Sequence, residues 1–180
     1  MKLIKKLKTI GLGIVLASLT LVSCEKGGST PPPPAQPTNY FTYLGNTYEL
    51  DAGCITPDGA GNFIVLYSSG LALNAAKDDF TGTGDGISFS VYGTGVLGSY
   101  TYDSTITDPA LPGEFDDSEF AIQSNTATNT SVLESEVIGG NITIAAGASG
   151  GYIIDMTGTS ALGNPITVHY EGLLTAANVH

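Results

Sequence analysis

The sequence predicts an all-β fold, an antiparallel sandwich or small barrel of about ten strands. Short runs rich in Val, Ile, Thr, Tyr and Phe recur along the chain, and several alternate apolar with polar residues. Clusters of Gly, Asn, Asp and Ser separate these runs, as turns between strands require. No repeat of fixed period is evident, which argues against a solenoid. The pattern leaves the choice between sandwich and barrel open.

The individual strands follow from these runs. Residues 40–44 and 47–50 predict a hairpin, with Gly45-Asn46 as its two-residue turn. Further strands are predicted at residues 62–67, 87–92, 100–102, 119–124, 131–138, 141–145, 152–156 and 166–174. The one predicted helix is short, residues 71–77, because that stretch is rich in alanine.

The N-terminus predicts export. Four lysines within residues 1–8 precede an uncharged apolar run at residues 9–22, and Ser23 and Cys24 close it. This order is typical of a secretory signal peptide, residues 1–23. The run is shorter than the roughly 20 apolar residues that a comfortable membrane span needs. Residues 24–38 follow as a Pro- and Gly-rich tether, and residues 39–180 are predicted to form a single β domain.

The sequence Leu21-Val22-Ser23-Cys24 resembles the lipobox of bacterial lipoproteins. The resemblance implies that the chain is cut before Cys24 and that Cys24 carries the lipid. Two or three acyl chains give stable anchoring where one gives marginal binding. The expected membrane partner is therefore the lipid bilayer, contacted through Cys24.

Composition restricts the partners of the domain. After the cleavage point 17 acidic residues face only two lysines, Lys26 and Lys77, and the chain has no arginine, so the mature formal charge is about −15. Nucleic acid is excluded as a partner, because phosphate binding depends on Lys and Arg. Once Cys24 is lipidated, Cys54 is the remaining thiol and is expected to be a small buried hydrophobe.

Two acidic, glycine-rich stretches are candidates for a Ca²⁺ site, the one cofactor that the sequence suggests. Calcium takes six to eight oxygen ligands, which such loops can supply. Neither stretch has EF-hand spacing, and solvated turns are the favoured explanation of both, since Asp and Gly are good turn residues. The candidate ligands are Asp78, Asp79, Asp85, Asp116 and Asp117.

Catalytic groups are scarce. The two histidines are His169, on the polar face of a predicted strand, and the terminal His180. A Ser-His-Asp site assembled only in the fold stays possible for His169, but no G-x-S-x-G elbow supports it. No catalytic residue is therefore assigned.

Three segments near the C-terminus resemble the closing strands of small lipoproteins of the Bacteroidota: residues 140–144 (GNITI), 151–155 (GYIID) and 163–173 (GNPITVHYEGL). The resemblance implies an outer-membrane lipoprotein, on its periplasmic or cell-surface face. Asp103-Ser104-Thr105 also resembles the short O-glycosylation sequon of exported proteins from that group, with Ser104 as the acceptor.

The function expected from these observations is a membrane-anchored, non-catalytic module for binding, adhesion or envelope structure. Its ligand could be a glycan, a protein or a small lipophilic molecule, although the absence of Trp counts against a glycan platform. The alternatives are a small hydrolase, or a barrel that carries a lipophilic ligand in its interior.

Overall fold

The structure, a computed structural model, describes residues 37–74, 79–105 and 111–177. Cys24, the predicted signal peptide and nearly all of the predicted tether lie outside these described residues. Across the described ranges the fold is all-β, which confirms the predicted fold class. A search of the same ranges finds no helix long and apolar enough to cross a membrane.

The described residues form twelve strands and one 3₁₀ turn, at Ala148–Gly150. The strands are β1 (Tyr40–Tyr43), β2 (Asn46–Glu49), β3 (Ala52–Asp58), β4 (Gly61–Tyr67), β5 (Leu71–Asn74), β6 (Asp79–Tyr92), β7 (Gly98–Tyr102), β8 (Glu114–Asn125), β9 (Leu133–Ala146), β10 (Tyr152–Ser160), β11 (Pro165–Gly172) and β12 (Leu174–Ala176).

The strands belong to one curled sheet, ordered β12-β3-β4-β6-β8-β7-β9-β10-β11-β1-β2, with β5 paired to β6 beside this path. Pairings are antiparallel except β12 with β3 and β7 with β8. The chain passes from β11 to β12 through Leu173 alone, although these strands lie towards opposite ends of the sheet. Since successive Cα atoms are about 3.8 Å apart, β11 must come close to β12 at this point. The sheet is therefore curled into a half-barrel.

The main hydrophobic core fills the inner face of the curl. Alternating residues of nearly every strand point into it, as the period-two pattern predicts. Phe120 is buried in this core, and its ring centroid lies 4.7 Å from that of Tyr43 and 6.1 Å from that of Phe41. Burying one such side chain contributes about 1.5–3 kcal/mol to stability.

A second, smaller apolar cluster lies on the outer face. On β4, Ile64 and Leu66 point into the main core, so Val65 and Tyr67 point outwards. Tyr67 packs against Cys54 of β3 and makes an edge-on contact with Phe80 at 4.9 Å. The β5–β6 hairpin thereby covers part of the outer surface.

The predicted helix at residues 71–77 is wrong where the structure describes it. Leu71–Asn74 is strand β5, which pairs antiparallel with residues 79–82 of β6. Residues 75–77 lie outside the described part. The helix propensity of two or three alanines amounts to tenths of a kcal/mol, and sheet pairing with burial of Leu71 and Leu73 outweighs it.

The predicted first hairpin is confirmed, with its turn moved by one residue. Tyr43 pairs with Asn46, so the two-residue turn is Leu44-Gly45, and both residues have positive φ, 51° and 76°. Two positive φ values match the type I′ turn that suits strand twist. Asn46 begins β2 instead.

Candidate functional site

The sheet contains a fork where β8 and β9 separate. They pair directly from Glu119 opposite Glu136 to Ile122 opposite Leu133. Beyond that stretch the short strand β7 lies between them, parallel to β8 and antiparallel to β9. β7 ends at Tyr102, so the fork opens at the end of this strand.

A cavity of about 380 Å³ lies at the fork, and we call it the fork cleft. Its volume falls in the range of sites for small ligands, about 300–1,000 Å³. Its wall combines five carboxylates with three hydroxyl and three apolar or aromatic side chains. The lining residues are Asp103, Asp116, Asp117, Glu119, Glu136, Ser88, Ser104, Ser118, Phe63, Tyr102 and Val137.

A bulge in β8 places three consecutive polar residues in the cleft. Opposite β6, the register slips between Ser88, which pairs with Glu119, and Ser90, which pairs with Asp116. Asp117 has a φ of 43°, a left-handed conformation that Asp tolerates better than most residues. Because a bulge re-aims side chains, Asp116, Asp117 and Ser118 all line the cleft.

Asp116 is half-buried and accepts a 2.7 Å hydrogen bond from the phenol of Tyr92 on β6. Desolvation raises the pKa of the Asp116 carboxyl, and the charges of Asp117, Asp58 and Asp103 raise it further. The Tyr92 hydrogen bond acts in the opposite direction and lowers this pKa. The pKa of Asp116 therefore lies above the usual value, mainly through burial and further through the aspartates crowded around it.

The same crowded carboxylates affect the pKa of Tyr102. Desolvation raises the pKa of its phenol, and the charges of Glu136, Asp116, Asp117 and Asp103 add to this effect. Four of the five cleft carboxylates are thus close enough to act on one aromatic ring. The ring itself packs edge-on against Phe115, at a centroid distance of 5.5 Å.

Glu119 continues the acidic surface onto the paired part of β8 and β9. Desolvation is the largest of the causes that raise the pKa of its carboxyl. A hydrogen bond with Glu134 and the charges of Glu134 and Glu136 raise this pKa further. Two carboxyl groups in hydrogen-bond contact share a proton more readily than they hold two negative charges. The described residues include no lysine or arginine to neutralise them.

Ser118 differs from the other lining residues because it is buried, with 3% of its surface exposed. Its Oγ has no hydrogen-bond partner among the described residues. A buried hydroxyl without a partner costs about 1–3 kcal/mol, so native structures rarely keep one without a reason. Ser118, a residue of the cleft wall, therefore has a polar atom whose bonding is incomplete among the described residues.

Ser104, the predicted O-glycosylation acceptor, lies on the exposed rim of the cleft. Asp103 and Thr105 hold this turn, since the backbone N–H and the hydroxyl of Thr105 each donate a 2.7 Å hydrogen bond to Asp103 Oδ1. These bonds lower the pKa of Asp103. Glycosylation of Ser104 stays a prediction.

The structure does not bring the predicted calcium ligands together. Asp79 and Asp85 both belong to strand β6, so the interpretation of residues 79–86 as a loop is wrong. The two aspartates are about 20 Å apart along this strand. Asp79 Oδ1 accepts the N–H of Phe80, and Asp85 Oδ1 that of Gln123. Asp116 and Asp117 share the fork cleft, and Asp78 lies outside the described residues. Within the described ranges no three His, Cys, Asp or Glu residues form a metal-binding group.

His169 forms a pair with Asp155 on the neighbouring strand, at 2.7 Å from Nδ1 to Oδ1. Tyr40 flanks the ring on the other side, at a centroid distance of 6.0 Å. Paired positions lead from His169 on β11 across β10 and β9 to β7, and they form a row across the sheet. The first serine in this row is Ser99 on β7, three strand spacings or about 14 Å from His169. The described residues thus give His169 a carboxylate partner and place no serine beside it in the row.

A second hollow, of about 260 Å³, lies on the outer face beneath the β5–β6 hairpin, with Val65, Leu71, Phe80 and Ala121 in its wall. Cys54 lies in the adjoining apolar cluster, and burial raises the pKa of its thiol to about 11. The expectation that Cys54 is a buried hydrophobe is therefore confirmed.

Comparison with known proteins adds no relative. No protein-family model matches the chain, and neither a curated protein nor a solved structure is significantly similar to it.

The sequence pointed to only two of the five cleft carboxylates, Asp116 and Asp117. Asp103, directly after β7, and Glu136, on β9, are 13 or more residues away in sequence from Asp116 and Asp117, and no local spacing connects them. One sequence signal did point to the region of Ser118, which follows two acids. Phe115 and Phe120 are five positions apart, so simple alternation cannot place both on the same face of a strand. That irregularity is the sequence trace of the bulge.

Proposed function

We propose that this chain is an exported lipoprotein anchored through Cys24, and that its β domain is a non-catalytic binding module with the fork cleft as its ligand site. The cleft carries this proposal, because it joins a ligand-sized cavity to several convergent polar groups and to carboxyls of raised pKa. Strands of a packed sheet hold most of these groups.

Two observations favour binding over hydrolysis. The cleft lining contains acids, hydroxyls and aromatic groups but no histidine, lysine or cysteine. His169, the candidate base, lies on a different part of the sheet, beside Asp155 on β10. Activation of a serine nucleophile by histidine needs the two side chains within hydrogen-bond reach, and no histidine lines the cleft.

The anchor is tested by metabolic labelling with palmitate. We expect the full chain to take up label and to fractionate with membranes, and the Cys24→Ala variant to lose both properties. Retained label in that variant would contradict the lipid assignment.

The ligand site is tested by NMR on the full, isotope-labelled chain carrying Cys24→Ser. Four probes are titrated separately: putrescine, acetate, glucose and 1-octanol. We expect at least one probe to shift the amides of residues 101–104 and 114–119 and to be recovered unchanged. Shifts confined to the hollow beneath β5 would instead support lipophilic carriage, and chemical conversion of a probe would support an enzyme.

A further inference from the structure

We infer that the ligand of the fork cleft is a small organic cation, a protonated amine held by the cleft carboxylates, the Tyr102 ring and the Ser118 hydroxyl. This inference rests on the proposed function and names the chemical class that the site accepts.

Charge is the first argument. Five carboxylates line one cavity, and the part of the chain that the structure describes supplies no lysine or arginine to balance them. Crowded like charges are unfavourable unless protons or a cation relieve them. An ammonium group provides a positive charge and up to three N–H donors, which carboxylates accept.

The second argument is the unpartnered hydroxyl. Ser118 is 3% exposed, belongs to the cleft wall, and its Oγ has no partner within the described ranges. An N–H donor from a ligand would give this oxygen the hydrogen bond that it lacks. The acidic cluster alone would not indicate a ligand, whereas a buried polar atom left unsatisfied inside it does.

Aromatic lining distinguishes an organic cation from other ligands. Tyr102 lies among four of the carboxylates, and Phe63 forms another part of the wall. Aromatic faces attract ammonium groups, by about 0.5–2 kcal/mol, and also pack against the attached carbons. The carboxylates would repel an anion, and a neutral sugar would gain hydrogen bonds from them but no charge attraction.

Size and geometry favour an amine over a bare metal ion. Calcium needs six to eight oxygens at about 2.3–2.6 Å, and no three acidic side chains among the described residues converge on one point. The cavity of about 380 Å³ instead matches a molecule of several carbon atoms.

The test is calorimetric titration of the full Cys24→Ser chain with putrescine, compared with tetramethylammonium, acetate and calcium chloride. We expect putrescine to bind, and Asp116→Asn to weaken binding about tenfold, the effect of losing a half-buried charge partner. Asp117→Asn removes an exposed charge and should weaken binding about threefold. The matched control is Glu49→Gln, which removes one charge from exposed β2 at the far end of the sheet and should change affinity less than about twofold.

Ser118→Ala gives a signature that a purely structural role would not produce. Removing an unpaired buried hydroxyl should leave the free protein as stable as before or more stable, yet putrescine affinity should fall.

Equal loss of affinity in Glu49→Gln would mean diffuse charge attraction and would overturn the inference. Calcium binding that depends on Asp116 and prevents putrescine from binding would also overturn the inference. If acetate, glucose or octanol shifts the cleft amides while no amine binds, this inference fails and the proposed binding site stands. If no probe reaches the cleft, both fail.

Discussion

The Tyr92 phenol donates a 2.7 Å hydrogen bond to Oδ1 of Asp116, from β6 to the neighbouring strand β8. This bond is the one influence that lowers the pKa of Asp116, against desolvation and the charges of three neighbouring aspartates. It also fixes one side of the fork cleft. The carboxylate is thus oriented by a strand that lies outside the fork itself.

Tyr92→Phe should raise the pKa of Asp116 further, because desolvation and the aspartate charges then act unopposed. It should also destabilise the domain by about 1 kcal/mol, since this is a partly exposed hydrogen bond to a charged group. Carboxyl NMR titration and urea unfolding measure the two effects. Tyr152→Phe is the control, as its hydroxyl bonds to no described residue, and a matching pKa rise there would contradict the assignment.

The acidic surface makes the pH dependence of stability predictable in sign. The folded-state pKa values of Asp116 and Glu119 are raised, so the folded domain binds these protons more tightly than the unfolded chain does. Their contribution is fully present below the unfolded pKa, about 4, and is lost as pH rises through the folded values. Asp103 has the opposite shift but is fully exposed and contributes little.

Glu119→Gln should therefore raise the melting temperature at neutral pH and flatten its decline as the pH rises above about 4. The reason is that glutamine keeps a hydrogen bond with Glu134 but adds no charge. Thermal melts at a series of pH values test this, with Glu49→Gln as the charge-matched control. Identical slopes in the two variants would show that net charge alone sets the dependence.

The inner core should respond strongly to loss of the buried aromatic residue Phe120. Phe120 is 1% exposed and contacts Phe41 and Tyr43. Phe120→Ala should lower the free energy of unfolding by about 3–5 kcal/mol, through lost transfer energy and a residual cavity. Leu162→Ala, at a loop position that is 60% exposed, should change it by less than about 0.5 kcal/mol. Urea denaturation of both variants decides whether the curled sheet depends on this aromatic contact.

Cys54 should be inert in the folded protein. Only the thiolate is reactive, and burial raises the pKa of this thiol to about 11. In the Cys24→Ser chain, Cys54 is the sole thiol, so a thiol reagent at neutral pH should label it slowly until denaturant is added. Rapid labelling of the folded chain would mean that the outer cluster of Cys54, Tyr67 and Ala177 opens readily.

Sequence periodicity predicts the strands that have one polar and one apolar face, such as residues 87–92 in β6. It fails at residues 79–86, where Asp and Gly favour a turn but the strand continues. The physical reason is that the backbones at Gly82 and Gly70 lie very close together. A Cβ on Gly82 would lie 2.2 Å from the Gly70 carbonyl oxygen, so only glycine fits at this position of the strand.

The candidate cleft is harder to predict than the fold. Its carboxylates meet because β7 separates β8 from β9, a long-range pairing that no local pattern encodes. Asp103 and Glu136 look like ordinary surface acids in the sequence, and the broken alternation around Ser118 indicates a bulge but not an unpartnered hydroxyl. Topology and the bulge in β8 create the site.

A bulge in β9 should be as important to the fork as the one in β8. Gly140 has a φ of 119°, and a Cβ there would lie 1.9 Å from the Thr157 carbonyl oxygen on β10. Gly139, next to it, has no atom within 4 Å of such a Cβ. Gly140→Ala should therefore destabilise by at least about 1–2 kcal/mol from backbone strain, with the clash adding to it. Gly139→Ala should be nearly neutral.

This pair also tests whether the fork depends on the β9 bulge. The register between β9 and β10 shifts between Gly158, opposite Gly140, and Ser160, opposite Val137, and Val137 forms part of the cleft wall. Forcing β10 away from Gly140 should displace Val137 and Glu136, so amides of residues 136 and 137 should shift in NMR spectra of Gly140→Ala and stay in place in Gly139→Ala. Equal stability of the two variants would mean that β9 does not hold this conformation, and the cleft would then owe its shape to β7 and β8 alone.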